Sequence, residues 1–223
     1  MSKLTPPIAA LFDFDGVLVN SENTHHAAWK VAYKDLFKQE IPPFPSATHA
    51  GKSPRIIAEY FAEYAEHKEK SEELYQLKTH YLHTEIEAPE LLPGVREILQ
   101  YLNENNIPYG IASNATRGFV ENTVKAHDLG IDVCFGYEDY TKPKPDPQPY
   151  LLLAEKLGLS RNDFDKAWIF EDSLTGTNAA KLSGITPIGL TTQYSQEELV
   201  NAGSKLVFPT LLEVYKYLIN EFS

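Results

Sequence analysis

Short apolar runs recur along the chain, and each breaks off in polar residues. Residues 8–12 stop at Asp13-Phe14-Asp15-Gly16, residues 107–112 at Ser113-Asn114, and residues 167–170 at Glu171-Asp172-Ser173; residues 186–190 form a shorter run of the same kind. Runs of this length bounded by turn residues are the pattern of strands buried on both faces. Between them, apolar residues repeat at helical spacing over 95–103, 119–127, 149–157 and 175–182, with Gly130, Gly158 and Gly184 standing where helices stop. Strand alternating with helix predicts an α/β fold, a Rossmann-like parallel sheet flanked by helices. Ligands of such sheets bind beyond the carboxyl ends of the strands, so the polar termini are expected to converge on one crevice.

Residues 23–83 read differently. Amphipathic helical patterns fill 24–37, 54–66 and 72–83, and no run resembles a strand. This predicts an inserted helical cap domain over residues 20–88, with the core domain built from residues 1–19 and 89–223. Pro89, Pro93 and Gly94 punctuate the return to the alternating pattern, and a hinge there would let the insert act as a lid.

Charge narrows the partners. Twenty basic against 31 acidic residues give a formal net charge of −11 over 223 residues, which disfavours nucleic acid and anionic membrane. The same charge repels a phosphorylated substrate, so a phosphate site here requires a bound cation and a few lysines or arginines. The single cysteine, Cys134, excludes an internal disulfide framework and points to a reducing compartment. The apolar run before Asp13 is too short for a secretory segment or a membrane span, so a cytoplasmic protein is expected, as a monomer or weak dimer.

The strand ends carry the chemistry. Asp13 and Asp15 are crowded carboxylates that favour a cation between them. One can attack phosphorus while the other donates a proton to the departing oxygen and later activates water; an Asp-rich helix cap is the alternative. Glu171 and Asp172 offer the hard oxygen donors that Mg2+ prefers, although Ser173 in the same segment also fits plain capping. Ser113 and Asn114 can hydrogen-bond phosphate oxygens or simply start a helix. In Thr141-Lys142-Pro143-Lys144-Pro145-Asp146-Pro147 the prolines stiffen a loop that either fixes a lysine or forms a solvated turn. His25, beside His26, and Gly51, Lys52 and Arg55 are further polar positions that could face a ligand or solvent.

DFDGV, ASN, TKPKPD and FEDS, in this order and with LPGV at 92–95 and GTNAA after the last acidic pair, resemble the signature of the haloacid dehalogenase-like hydrolase superfamily. The helical insert resembles the cap of the branch containing β-phosphoglucomutase and sugar-phosphate phosphatases. The resemblance implies Asp13 as nucleophile and metal ligand, and Asp15 as acid/base that also lends its backbone carbonyl to Mg2+. It implies Ser113 and Asn114 on the phosphoryl oxygens, Lys142 bridging phosphoryl group and carboxylate, and Asp172 with Glu171 completing the metal site. His25 and Arg55 fall near cap positions of the mutase and would bind substrate there, which keeps a mutase in view. The function implied is a Mg2+-dependent phosphatase acting on a small phosphorylated metabolite, such as a sugar phosphate, through an aspartyl-phosphate. A phosphosugar mutase is the alternative, and a non-catalytic phospholigand sensor a third.

Overall fold

The computed structural model describes residues 5–44 and 54–222. Gly51 and Lys52 lie outside the described residues. The chain divides into two compact units, Met1–Asn20 with Glu90–Ser223, and Ser21–Pro89.

Among the described residues the first unit holds eight strands: β1 (Ala10–Phe12), β2 (Val19–Asn20), β3 (Glu90–Leu91), β4 (Tyr109–Ala112), β5 (Cys134–Phe135), β6 (Trp168–Glu171), β7 (Thr186–Leu190) and β8 (Leu206–Phe208). Six of them form one sheet in the order β5-β4-β1-β6-β7-β8, with every neighbouring pair parallel. The predicted parallel α/β core is therefore the observed one. β1 and β6 are fully buried along their length, which is why they read as unbroken apolar runs rather than alternating ones. Their register pairs Phe12 with Phe170, and the two rings stack at 5.0 Å.

Helices flank the sheet: α4 (Val95–Glu104), α5 (Arg117–Ala126), α6 (Gln148–Lys156), α7 (Leu174–Ser183), α8 (Gln196–Ala202) and α9 (Leu211–Phe222), numbered after the three of the other unit. Leu11 and Ile169 from the strands pack with Tyr150, Leu153, Ala179 and Ala180 from α6 and α7 in one core cluster. Three features were not foreseen from sequence. The outermost strands β5 and β8 are only two and three residues long, β2 pairs antiparallel with β3, and α8 and α9 follow β7.

Among the described residues the second unit contains the α-helices α1 (Glu22–Phe37), α2 (Pro54–Tyr64) and α3 (Ser71–Thr84). Their apolar faces meet in a core of Trp29, Ala32, Tyr33, Ala58, Phe61 and Leu74. Among the described residues no helix is long and apolar enough to cross a membrane.

Candidate active site

Parallel pairing puts the carboxyl ends of β4, β1 and β6 side by side. Phe12 is in register with Ile111 on one side and Phe170 on the other. The next residues along, Ser113, Asp13 and the Glu171-Asp172 pair, therefore emerge from one edge of the sheet. Oxygen atoms of Asp13, Glu171 and Asp172 lie within 4.8 Å of one another, and all three residues are buried.

The backbone around them is shaped for this crowding. Gly16 has φ +75, and a side chain there would overlap the Asp172 carboxylate. Gly176, in the first turn of α7, leaves the space that the Glu171 carboxylate occupies. Ser173 caps α7 by accepting the Gly176 N–H at 3.0 Å, so capping and active-site geometry are both built into the same segment.

One lysine enters the cluster, and it is not the one expected. Lys144 Nζ donates to Asp13 Oδ1 at 2.5 Å and to Glu171 Oε1 at 2.7 Å. Lys142, expected in this role, has a side chain 71% exposed and 4.0 Å from Asp146, whereas that of Lys144 is 4% exposed. The physical reason is the register of the loop against α6. Gln148 Oε1 accepts the backbone N–H of Thr141 and Lys142 and holds the front of the loop at the surface, while the loop descends to Lys144.

Burial raises the Asp13 carboxyl well above its ordinary value; Lys144 pulls it down, and Glu171 and Asp172 push it further up. Burial, then Glu171, lifts Asp172 to about 7 against the opposing effects of Thr192 and Lys144. For Lys144, burial disfavours the charge, but Asp13 and Glu171 outweigh it and hold the ammonium above its usual value. Three buried carboxylates thus share one buried ammonium. A hard divalent cation fits this excess of negative oxygen donors.

Neighbouring groups brace the site. Tyr140, buried, places its hydroxyl on the Ser113 carbonyl and 3.2 Å from Asn114 Oδ1, which also receives the Lys144 backbone N–H at 3.3 Å. Ser113 Oγ accepts the Ala115 N–H at 3.0 Å, leaving its own proton to donate. Thr192 Oγ1 lies 2.6 Å from the Gly16 carbonyl and 3.1 Å from Asp172 Oδ2, linking the loops after β1, β6 and β7. Asp15, partly buried, bridges to Val19 in the turn after β1. Tyr140, Tyr150 and Thr192 were missed from sequence because hydroxyls on loop and helix residues carry no spacing signal.

The two cap candidates that are described belong to the helical unit. His25 Nδ1 lies 3.2 Å from Nζ of the buried Lys78, which also sits over the Trp29 ring at 5.6 Å. Burial, then Lys78 and His26, lowers His25 to about 3, so its ring is neutral and accepts from the lysine. Arg55 pairs with Glu72 and stacks on Tyr75 at 4.3 Å.

The family model of haloacid dehalogenase-like hydrolases matches residues 10–190. The chain belongs to this family. It is 30% identical over 200 residues to validoxylamine A 7'-phosphate phosphatase of Streptomyces hygroscopicus subsp. limoneus, covering 86% of this chain and 90% of that protein. It is 29% identical over 188 residues to the phosphorylated carbohydrates phosphatase of Thermotoga maritima, covering 81% and 83%. Among solved structures, a family IA, variant 3 HAD hydrolase from Entamoeba histolytica superposes with a TM-score of 0.71 at 26% identity, over 93% of this chain and 99% of that one. β-Phosphoglucomutase from Clostridium difficile shares the fold, with a TM-score of 0.71 at 21% identity over 96% of each chain. By this kinship the chain is an enzyme of the phosphoric monoester hydrolase class.

Proposed function

We propose that this enzyme is a Mg2+-dependent phosphatase that removes the phosphoryl group of a small phosphorylated metabolite, in the sugar-phosphate class, through an aspartyl-phosphate on Asp13. The observation that carries the reading is the Lys144 ammonium held on Asp13 Oδ1 inside a cluster of buried carboxylates. A surplus of buried negative charge is costly unless a cation and a phosphoryl-directed ammonium use it.

In this reading Asp13 and Asp172 hold the ion, together with the backbone carbonyl of Asp15. When bound, the ion neutralises the carboxylates and draws charge from the phosphoryl oxygens. The free oxygen of Asp13 attacks phosphorus, and the bond to the substrate oxygen breaks. Lys144 spends two of its three N–H groups on Asp13 and Glu171, and the third meets a phosphoryl oxygen. The Ser113 hydroxyl and the Asn114 amide hold the others. Asp15 gives its proton to the departing oxygen, then takes one from the water that attacks the aspartyl-phosphate. Release of orthophosphate restores Asp13.

The hydrolase is favoured over a mutase by two supports. Two of the relatives matched over most of the chain are named for phosphatase activity. Arg55, which a mutase would need for a second phosphate, is engaged with Glu72 and Tyr75.

The test is a screen of phosphorylated metabolites for orthophosphate release, with and without chelator, using wild type and Asp13→Asn. The expected result is chelator-sensitive release by wild type, and loss of at least about 1000-fold in the variant. Full turnover by Asp13→Asn would remove the proposed nucleophile. Isomer formation in place of orthophosphate would turn the reading to a mutase, and binding without turnover to a sensor.

A further inference from the structure

Glu171 has more partners than a metal ligand can keep. Lys144 Nζ donates to Oε1 at 2.7 Å, and the Tyr150 hydroxyl donates to the same oxygen. On the other oxygen, Oε2, Ser173 contributes its hydroxyl at 2.9 Å and its backbone N–H at 3.3 Å. An ionised carboxylate offers about four lone-pair sites, and these four donors fill them. The carboxylate is also boxed in, because it occupies the space above Gly176 that a side chain would need. Although Glu171 lies in the acidic cluster, its work is to hold Lys144.

Tyr150 touches both members of that pair. It is fully buried on α6, its ring centroid is 4.5 Å from Lys144 Nζ, and its hydroxyl reaches Glu171 Oε1. The ring alone would satisfy a packing role and the cation–π contact. The hydroxyl is additional, and it is the only one of the four donors on Glu171 that comes from α6. Without it, one lone pair of a buried carboxylate is open beside the proposed cation, and Glu171 is free to turn toward that charge and draw Lys144 off Asp13.

We propose that Tyr150 is a positioning residue: through Glu171 its hydroxyl keeps the Lys144 ammonium on Asp13, with the third N–H directed at the group being transferred. The kinetic consequence rests on the phosphatase reading; the placement of Lys144 does not.

Tyr150→Phe keeps the ring and tests the hydroxyl alone. Against the best monoester, at saturating Mg2+, kcat is expected to fall about tenfold, the factor that matches a hydrogen bond to a charged group, with KM within about twofold. In metal-free enzyme carrying 15N at lysine Nζ, the buried Lys144 ammonium is expected to give a slowly exchanging resonance, identified by its loss in Lys144→Arg. The same resonance is expected to broaden into solvent exchange in Tyr150→Phe. A variant with wild-type kcat and an unchanged resonance would overturn the proposal. So would a drop in melting temperature accompanied by neither change, which would make Tyr150 structural only. If wild type releases no phosphate from any monoester, the phosphatase reading fails, and the resonance still decides whether Tyr150 holds Lys144.

Discussion

Lys142 and Lys144 stand two residues apart in one proline-rich loop, yet only Lys144 reaches a carboxylate of the site. Removing a preorganised cation from a buried phosphoryl site costs about 100- to 1000-fold in rate. Lys144→Ala is therefore expected to lose activity on that scale, whereas Lys142→Ala stays within about threefold, because an exposed lysine 4.0 Å from Asp146 contributes little. Initial rates of the two variants separate them, and equal losses would return the role to Lys142. Asp172 supports a second prediction. Burial and Glu171 raise it to about 7, so below that pH a proton competes with the cation for its oxygens. Apparent Mg2+ affinity is expected to fall by up to about tenfold per pH unit as pH drops from about 7, and titration calorimetry at two pH values measures it. An affinity that ignores pH would sink Asp172 as a ligand.

At the scale of elements, each working group sits where a secondary-structure end puts it, and this decided what could be read from sequence. β1, β4 and β6 were legible because central parallel strands are apolar throughout, and their polar ends named Asp13, Ser113, Glu171 and Asp172 directly. β5 and β8 were not, since two or three residues cannot establish a period. The lysine was ambiguous because Lys142-Pro143 and Lys144-Pro145 repeat the same step. What separates them is the part of α6 that each meets: Gln148 holds the Lys142 backbone, whereas the buried Tyr150, six residues beyond Lys144, lays its ring beside the Lys144 ammonium and its hydroxyl on Glu171. The start of α7 gives the third prediction. Gly176→Ala places a methyl group in the Glu171 carboxylate, with no room to shift beside Ser173 and Lys144. Overpacking of this kind costs about 1–3 kcal/mol, and because the displaced group is the lysine anchor, kcat is expected to fall with stability. Thermal melting and initial rates measure the pair of effects; a stable, fully active variant would show that Glu171 is not held as described.

Across the molecule, the two units carry buried ionisable groups that respond to acid in opposite senses. In the α/β unit Asp172 is raised from 3.8 to about 7, so between those values the folded state binds more protons than the unfolded one. Without a divalent cation, this group makes the unit more stable as pH falls from 8 toward 5. In the helical unit His25 is lowered from 6.5 to about 3, so between those values the unfolded state binds more protons. Its contribution is intact above about pH 6.5 and is lost as pH falls. The ring is partly buried rather than sealed, so the loss is put at about 2 kcal/mol between pH 7 and pH 4.5, below the full linkage value. Lys78 enforces this, because a protonated His25 would face its ammonium at 3.2 Å. Hydrogen exchange in chelator is expected to show protection falling in residues 54–84 and rising in residues 95–190 on the same acid step. His25→Gln, which cannot protonate, is expected to flatten the first trend and leave the second. Loss of protection at equal rates in both regions, unchanged by His25→Gln, would mean that acid acts through the surface charge of the whole chain instead of these two buried sites.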